Sequence, residues 1–215
     1  MRHPIQAAVL LLGIVAAGAI NRVDGQVTTS KGDVRLDKVD ADKLRIGMRD
    51  LWADHVIWTR EVIVNAIEAD EPSASAATDR LMKNQEDIGN AIVPYYGREA
   101  GTKLTGLLKD HIRIATEVVG AAKAKDNTKL ADADKRWKAN ATDIATFLSG
   151  ANPNWPKADL EKMLYEHLSL TTREATARLE KDWTKDVEAF DRIYDQAMHM
   201  ADALTAGIVK QFANK

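Results

Sequence analysis

The chain has no cysteine in 215 residues. That excludes disulfides, thiolate metal ligands, a cysteine nucleophile and a lipid-modified cysteine anchor. It has no excess of one charge either, with 30 basic residues against 32 acidic ones and no Lys/Arg block. A nucleic-acid partner therefore has no electrostatic support. The familiar catalytic patterns are missing as well. There is no His-Glu-x-x-His, no Gly-x-Ser-x-Gly elbow and no glycine-rich phosphate loop. No glutamate stands three residues before a histidine, as a ferritin-like dimetal site requires. Glu61 and Glu117 stand six residues after histidines and Glu174 seven, and one exposed glutamate per helix is ordinary. With no catalytic motif, the reading leans away from an enzyme. No stretch after residue 40 alternates as a strand does.

The N-terminus reads as an export signal over residues 1–25. Arg2 and His3 give a short positive start, and Ile5 to Ile20 is apolar apart from Gln6. Ala17-Gly18-Ala19 fits the small-x-small cleavage rule, and Val23-Asp24-Gly25 is a second option. The apolar run is short for a spanning helix, which needs roughly 20 residues; an uncleaved anchor is the alternative. A polar linker follows over residues 26–41, rich in Gly, Thr, Ser, Lys and Asp. The expected location is periplasmic or secreted, with no other membrane segment.

An internal repeat of period 56 organises the rest, with copies at 42–97, 98–153 and 154–209. His55, His111 and His167 are equally spaced, as are Asp70, Asp126 and Asp182. Ala77, Ala133 and Ala189 form a third column, and Arg80, Arg136 and Arg192 a fourth. The first two copies agree at 12 of 56 positions without a gap. Such self-similarity marks one supersecondary unit used three times.

Within each copy apolar residues recur at three and four, which predicts helix. The first stripe is Leu44, Met48, Leu51, His55, Trp58 and Val62; its counterparts carry His111 and His167. All three histidines thus lie on faces expected to be buried. Trp52, Trp58 and Trp137 are read as core. Each triplicated aspartate is read as the N-cap of the next helix, accepting free N–H groups at its positive end. First helices begin at about residue 42 in copy one, and second helices cover 73–93, 128–149 and 184–213. Pro94-Tyr95-Tyr96-Gly97 and Asn152-Pro153-Asn154-Trp155-Pro156 separate the copies, proline ending one helix and starting another. The aromatics there staple helix ends or form a binding rim. The expected fold is all-α: one domain over 42–215, a six-helix antiparallel bundle of three hairpins closed around a pseudo-threefold axis. Closure hides the two end faces that an open stack would leave wet.

Counting from the capping aspartates puts each histidine level with a carboxamide, both about 21–22 Å from the turn. The pairs are His55 with Asn84, His111 with Asn140, and His167 with Gln196. The residue before each histidine is acidic: Asp54, Asp110 and Glu166. The second helices add Arg80 and Asp87, Arg136 and Asp143, and Arg192 and His199 at i, i+4, i+7 spacing. Three uses for this layer stay open. Neutral imidazoles at a common centre would bind a transition metal such as Zn, Cu, Fe or Ni, with the acids orienting the rings. The arginines and carboxamides would bind a small polar ligand or anion. Or the layer is structural, fixing helix register in a sensing or interaction bundle.

The strings Leu51-Trp52-Ala53-Asp54-His55-Val56, Asp87-Ile88-Gly89-Asn90-Ala91-Ile92 and Pro94-Tyr95-Tyr96-Gly97 resemble a family of small bacterial helical proteins of unknown function. The resemblance covers most of the chain after residue 40 and implies no activity and no site residues.

Overall fold

The structure, a computed structural model, describes residues 40–212. The expected signal segment and nearly all of the linker lie outside the described residues. Among the described residues every element is helical: α1 Ala41–Glu68, α2 Glu71–Lys123, α3 Asn127–Ala151, α4 Lys157–Leu179 and α5 Trp183–Phe212. Five helices stand where the sequence predicts six, because α2 runs through the expected break at Pro94. Proline removes one N–H and crowds one carbonyl, which bends a helix without having to end it. The discontinuity falls three residues later, at Gly97, with φ 84° and ψ 166°. Only glycine occupies that region freely.

The two arms of α2 fold back on each other. Gly89 and Gly101 face across the bend, and a Cβ on either would stand 2.7 Å from the carbonyl oxygen of the other. This is a backbone-to-backbone approach that glycine alone permits.

The expected aspartate caps are present. Asp70 Oδ1 accepts from the Ser73 N–H at 3.3 Å, Asp126 Oδ1 from Lys129 at 3.0 Å and Asp182 Oδ1 from Lys185 at 3.1 Å. Each cap contributes about 1 kcal/mol. The aspartate N–H groups reach back five residues, to the carbonyls of Asn65, Ala121 and Ala177. The residue before each aspartate is left-handed: Ala69, Lys125 and Lys181, with φ of 62°, 55° and 61°. α1, α2 and α4 thus end in Schellman-type turns, and the helix after each begins on an aspartate.

Packing runs in order from α1 to α5, and α5 returns to α1, so the succession closes. The three histidine-bearing helices α1, α2 and α4 also touch across the interior. The core has two apolar chambers. One is ringed by Met48, Leu104 and Leu160 with Ile88, Ile144 and Met200. The other is ringed by Ile63, Val119 and Ala175, one or two turns beyond the histidines. Each leaves a void of about 30 Å³, room for a single water.

Aromatics clasp one end of the bundle. Tyr96 donates to Gln211 Oε1 at 2.8 Å and accepts from Asn152 Nδ2 at 2.9 Å. Its ring meets Trp155 and Phe212, and Tyr95 also meets Phe212. Trp155 lies on Gly207, where a Cβ would collide with the indole nitrogen at 1.9 Å. These residues are staples of the helix ends.

Candidate functional site: a buried histidine and carboxamide layer

His55 on α1, His111 on α2 and His167 on α4 are all buried, at 3%, 4% and 3% exposure. The rings converge: the centroids of His55 and His167 are 5.6 Å apart, and those of His111 and His167 6.4 Å. Helix periodicity explains this. Each histidine continues an apolar stripe, so burying the stripe carries the imidazole to the interior.

The carboxamides hold the rings. Asn84 Nδ2 donates to the Leu51 carbonyl, Asn140 Nδ2 to Leu107 and Gln196 Nε2 to Met163, each at 3.0 Å. That fixes which end of each amide faces inward. Asn140 Oδ1 lies 2.9 Å from His111 Nδ1, and Gln196 Oε1 lies 3.2 Å from His167 Nδ1. An amide oxygen only accepts, so both Nδ1 atoms carry the proton and both Nε2 atoms carry a lone pair. His111 Nε2 accepts from the Trp137 indole N–H at 3.2 Å, which the same tautomer requires.

The sector around His55 differs. Gln85, fully buried, inserts its Nε2 3.2 Å from His55 Nδ1 while also donating to the Leu81 carbonyl and to Asn84 Oδ1. Its Oε1 is buried without a partner among the described residues, as is Nε1 of the neighbouring Trp52. The Trp52 ring meets His55 edge-on at 5.4 Å. Each unpartnered atom costs about 1–3 kcal/mol.

Burial keeps the three rings neutral. It drives His55 well below the ordinary value of 6.5, and the neighbouring His167 and His111 add to the shift. Burial, then His167, takes His111 down to about 4, and burial lowers His167. Neutral imidazole is the metal-ligating form.

Several expected members of the layer lie elsewhere. Asp54 pairs with Arg80 at 2.5 Å, and the exposed Asp110 with Arg113 at 2.5 Å. Glu166 lies exposed in an outer groove with His199 and Arg192. These acids do not orient the imidazoles; the carboxamides and Trp137 do. A residue adjacent to a buried one is turned about 100° around the helix, which puts it on the flank. The same geometry removes the arginine column. Arg80 and Asp87 sit about 40° and 60° to one side of Asn84, enough to reach solvent. Asp87 pairs with Lys83 at 3.0 Å, and Arg136 with Glu117 and Asp132 at 2.5 and 2.8 Å. Asp143, Arg192 and His199 are exposed.

Among the described residues, no group of three or more His, Cys, Asp or Glu is disposed to hold a metal ion as the side chains stand. The ring centroids stand 5.6 and 6.4 Å apart, and the Trp137 indole N–H occupies His111 Nε2. None of the described helices is long and apolar enough to cross a membrane.

A second polar cluster lies buried where α1, α4 and α5 meet. Arg60 donates to Glu174 at 2.6 Å and to both oxygens of Asp186 at 2.9 and 3.0 Å. Arg178 donates to Asp186 at 3.0 Å and to Glu68. Glu174 and Asp186 are 1% and 2% exposed, and burial pushes Glu174 up to about 7. Sequence reasoning missed this cluster, although the 56-residue spacing carries its signal. Val118 and Val62 stand 56 and 112 residues before Glu174, and Leu130 and Ala74 stand 56 and 112 before Asp186. A charge in a column of apolar residues marks a buried ion pair.

No protein-family model, no curated protein and no solved structure matches the chain.

Proposed function

We propose that the chain is an exported helical-bundle protein that binds a transition-metal ion, Zn, Cu, Fe or Ni, through His55, His111 and His167. The observation that carries this reading is the meeting of three buried neutral imidazoles, two with Nδ1 fixed on a carboxamide oxygen. That is the outer support metal-bound histidines use, leaving Nε2 for the ion. His167 has no hydrogen bond at Nε2 among the described residues, and His55, whose Nδ1 faces the Gln85 amide donor, would give up its Nε2 proton on bonding the ion. His111 would exchange the Trp137 N–H for the ion. The voids of about 30 Å³ on either side of the layer are too small for an organic ligand.

The reading treats the two arms of α2 as separate helices, giving six in three hairpins about a pseudo-threefold axis. Left-handed residues at 69, 125 and 181 support it, as do carboxamide bonds that each span 33 residues. Export rests on the apolar segment at 5–20 and implies a mature chain starting near residue 20 or 26. N-terminal sequencing of the secreted protein checks it.

A second reading, an extracytoplasmic sensing or interaction bundle with a structural layer, is favoured by one observation: both ring nitrogens of His111 are already hydrogen-bonded. Elemental analysis separates the two. The metal reading expects one ion per chain, lost in His111→Ala and bound more tightly in Trp137→Phe, which frees Nε2. The structural reading expects no ion and two destabilised variants.

A further inference from the structure

The outer groove between α4 and α5 holds two adjoining hollows of about 320 and 360 Å³ that share Leu170, Arg173 and Arg192. The molecule contains its own control for this groove. Eight of the ten residues lining the hollow between α2 and α3 stand 56 positions before residues of this groove, including Glu117, Asp132 and Arg136. There the arginine is neutralised: Arg136 bonds Glu117 and Asp132. In the first copy Arg80 bonds Asp54. In the third copy the acid equivalent to Glu117 is Arg173. The charge is reversed, and Arg192, alone of the three repeated arginines, makes no ion pair or hydrogen bond among the described residues. Arg173 makes none either. Two exposed guanidiniums therefore face one groove with no carboxylate bonded to either.

We infer that Arg173 and Arg192 form a binding site for a small oxyanion group, a carboxylate or a phosphate. Guanidinium presents parallel N–H donors that match two oxygens of such a group, and two of them enclose it from both walls. The surroundings set the size and character of the ligand. Glu180 and Glu188 stand at one end, and Glu166 and Asp195 at the other. Lys185 is occupied by Asp182 at 2.6 Å, and His199 sits at the Glu166 end. A cation pair between two acidic pairs repels a polyanion and accepts a compact anion, with a cationic substituent welcome at either end. The site stands on the surface, apart from the histidine layer, and does not depend on metal binding.

Isothermal titration of the full chain with inorganic phosphate and, separately, with phosphoethanolamine tests the inference. Saturable binding at one site per chain is expected. Tighter binding of phosphoethanolamine identifies a zwitterion as the source of the oxyanion; equal binding identifies the free anion. Arg173→Glu recreates the arrangement around Arg136 and should weaken binding at least tenfold, with unchanged circular dichroism and metal content. Absence of saturable binding to both probes, or binding undiminished in Arg173→Glu, overturns the inference.

Discussion

Lys125 is exposed, left-handed and preceded by a helix that ends without glycine. A non-glycine residue in that conformation costs about 1–2 kcal/mol, and glycine would return about 0.5–1 kcal/mol of this as extra chain entropy on unfolding. Lys125→Gly should therefore stabilise the protein by roughly 0.5–1 kcal/mol, read as a higher urea midpoint at constant m-value. Ala69 and Lys181 occupy the equivalent turns, and the same exchange there should act in the same direction. These turns were half legible in the sequence. The aspartate caps were readable because a triplicated Asp before a polar turn has few other uses. The left-handed residues were not, because Ala and Lys carry no signal for that backbone region.

At the scale of the element, α2 separates two kinds of glycine. Gly97 has open space where a Cβ would go, and only its backbone angles demand glycine. Gly101 has ordinary helical angles and no space. Gly101→Ala should cost about 2–3 kcal/mol through overpacking of the two arms. Gly97→Ala should cost about 1–3 kcal/mol through backbone strain alone. Adding Gly89→Ala distinguishes them. It should couple strongly to Gly101→Ala, its direct contact, and add independently to Gly97→Ala. The helices and the inward turn of the histidines were readable from periodicity. The exact break was not, since Pro94 is the louder signal and Gly97 the operative one. The acids beside the histidines lie on the flank for a simpler reason: a 100° step around the helix separates residues that are adjacent in sequence.

Across the bundle, the seam joining α5 to α1 carries the charge. Arg60, Glu174, Asp186, Arg178 and Glu68 link α1, α4 and α5, and Arg49 on α1 bonds Asp202 on α5 at 2.5 Å. These buried charges and the buried imidazoles give the bundle's stability a pH signature. The histidines are depressed in the fold, so their stability is present above pH 6.5 and lost as pH falls. For His111, from 6.5 to about 4, the loss is about 3 kcal/mol. Glu174 is raised from 4.5 to about 7. Its contribution is present below pH 4.5 and lost as pH rises to 7, opposing the histidines over the same interval. Three rings outweigh one carboxyl, so the metal-free protein should lose stability on acidification below pH 6.5. Glu174→Gln removes the opposing contribution and should steepen that loss, as urea unfolding at pH 5 to 8 would show.

The histidine layer is tested most directly by anomalous diffraction at the zinc edge, from crystals of the full chain grown with one equivalent of Zn²⁺. The expected result is one strong peak between the His55, His111 and His167 rings, with the Trp137 indole displaced. A map with no peak there, or with zinc only on surface carboxylates and His199, would contradict a metal-binding layer and leave the three imidazoles as core packing.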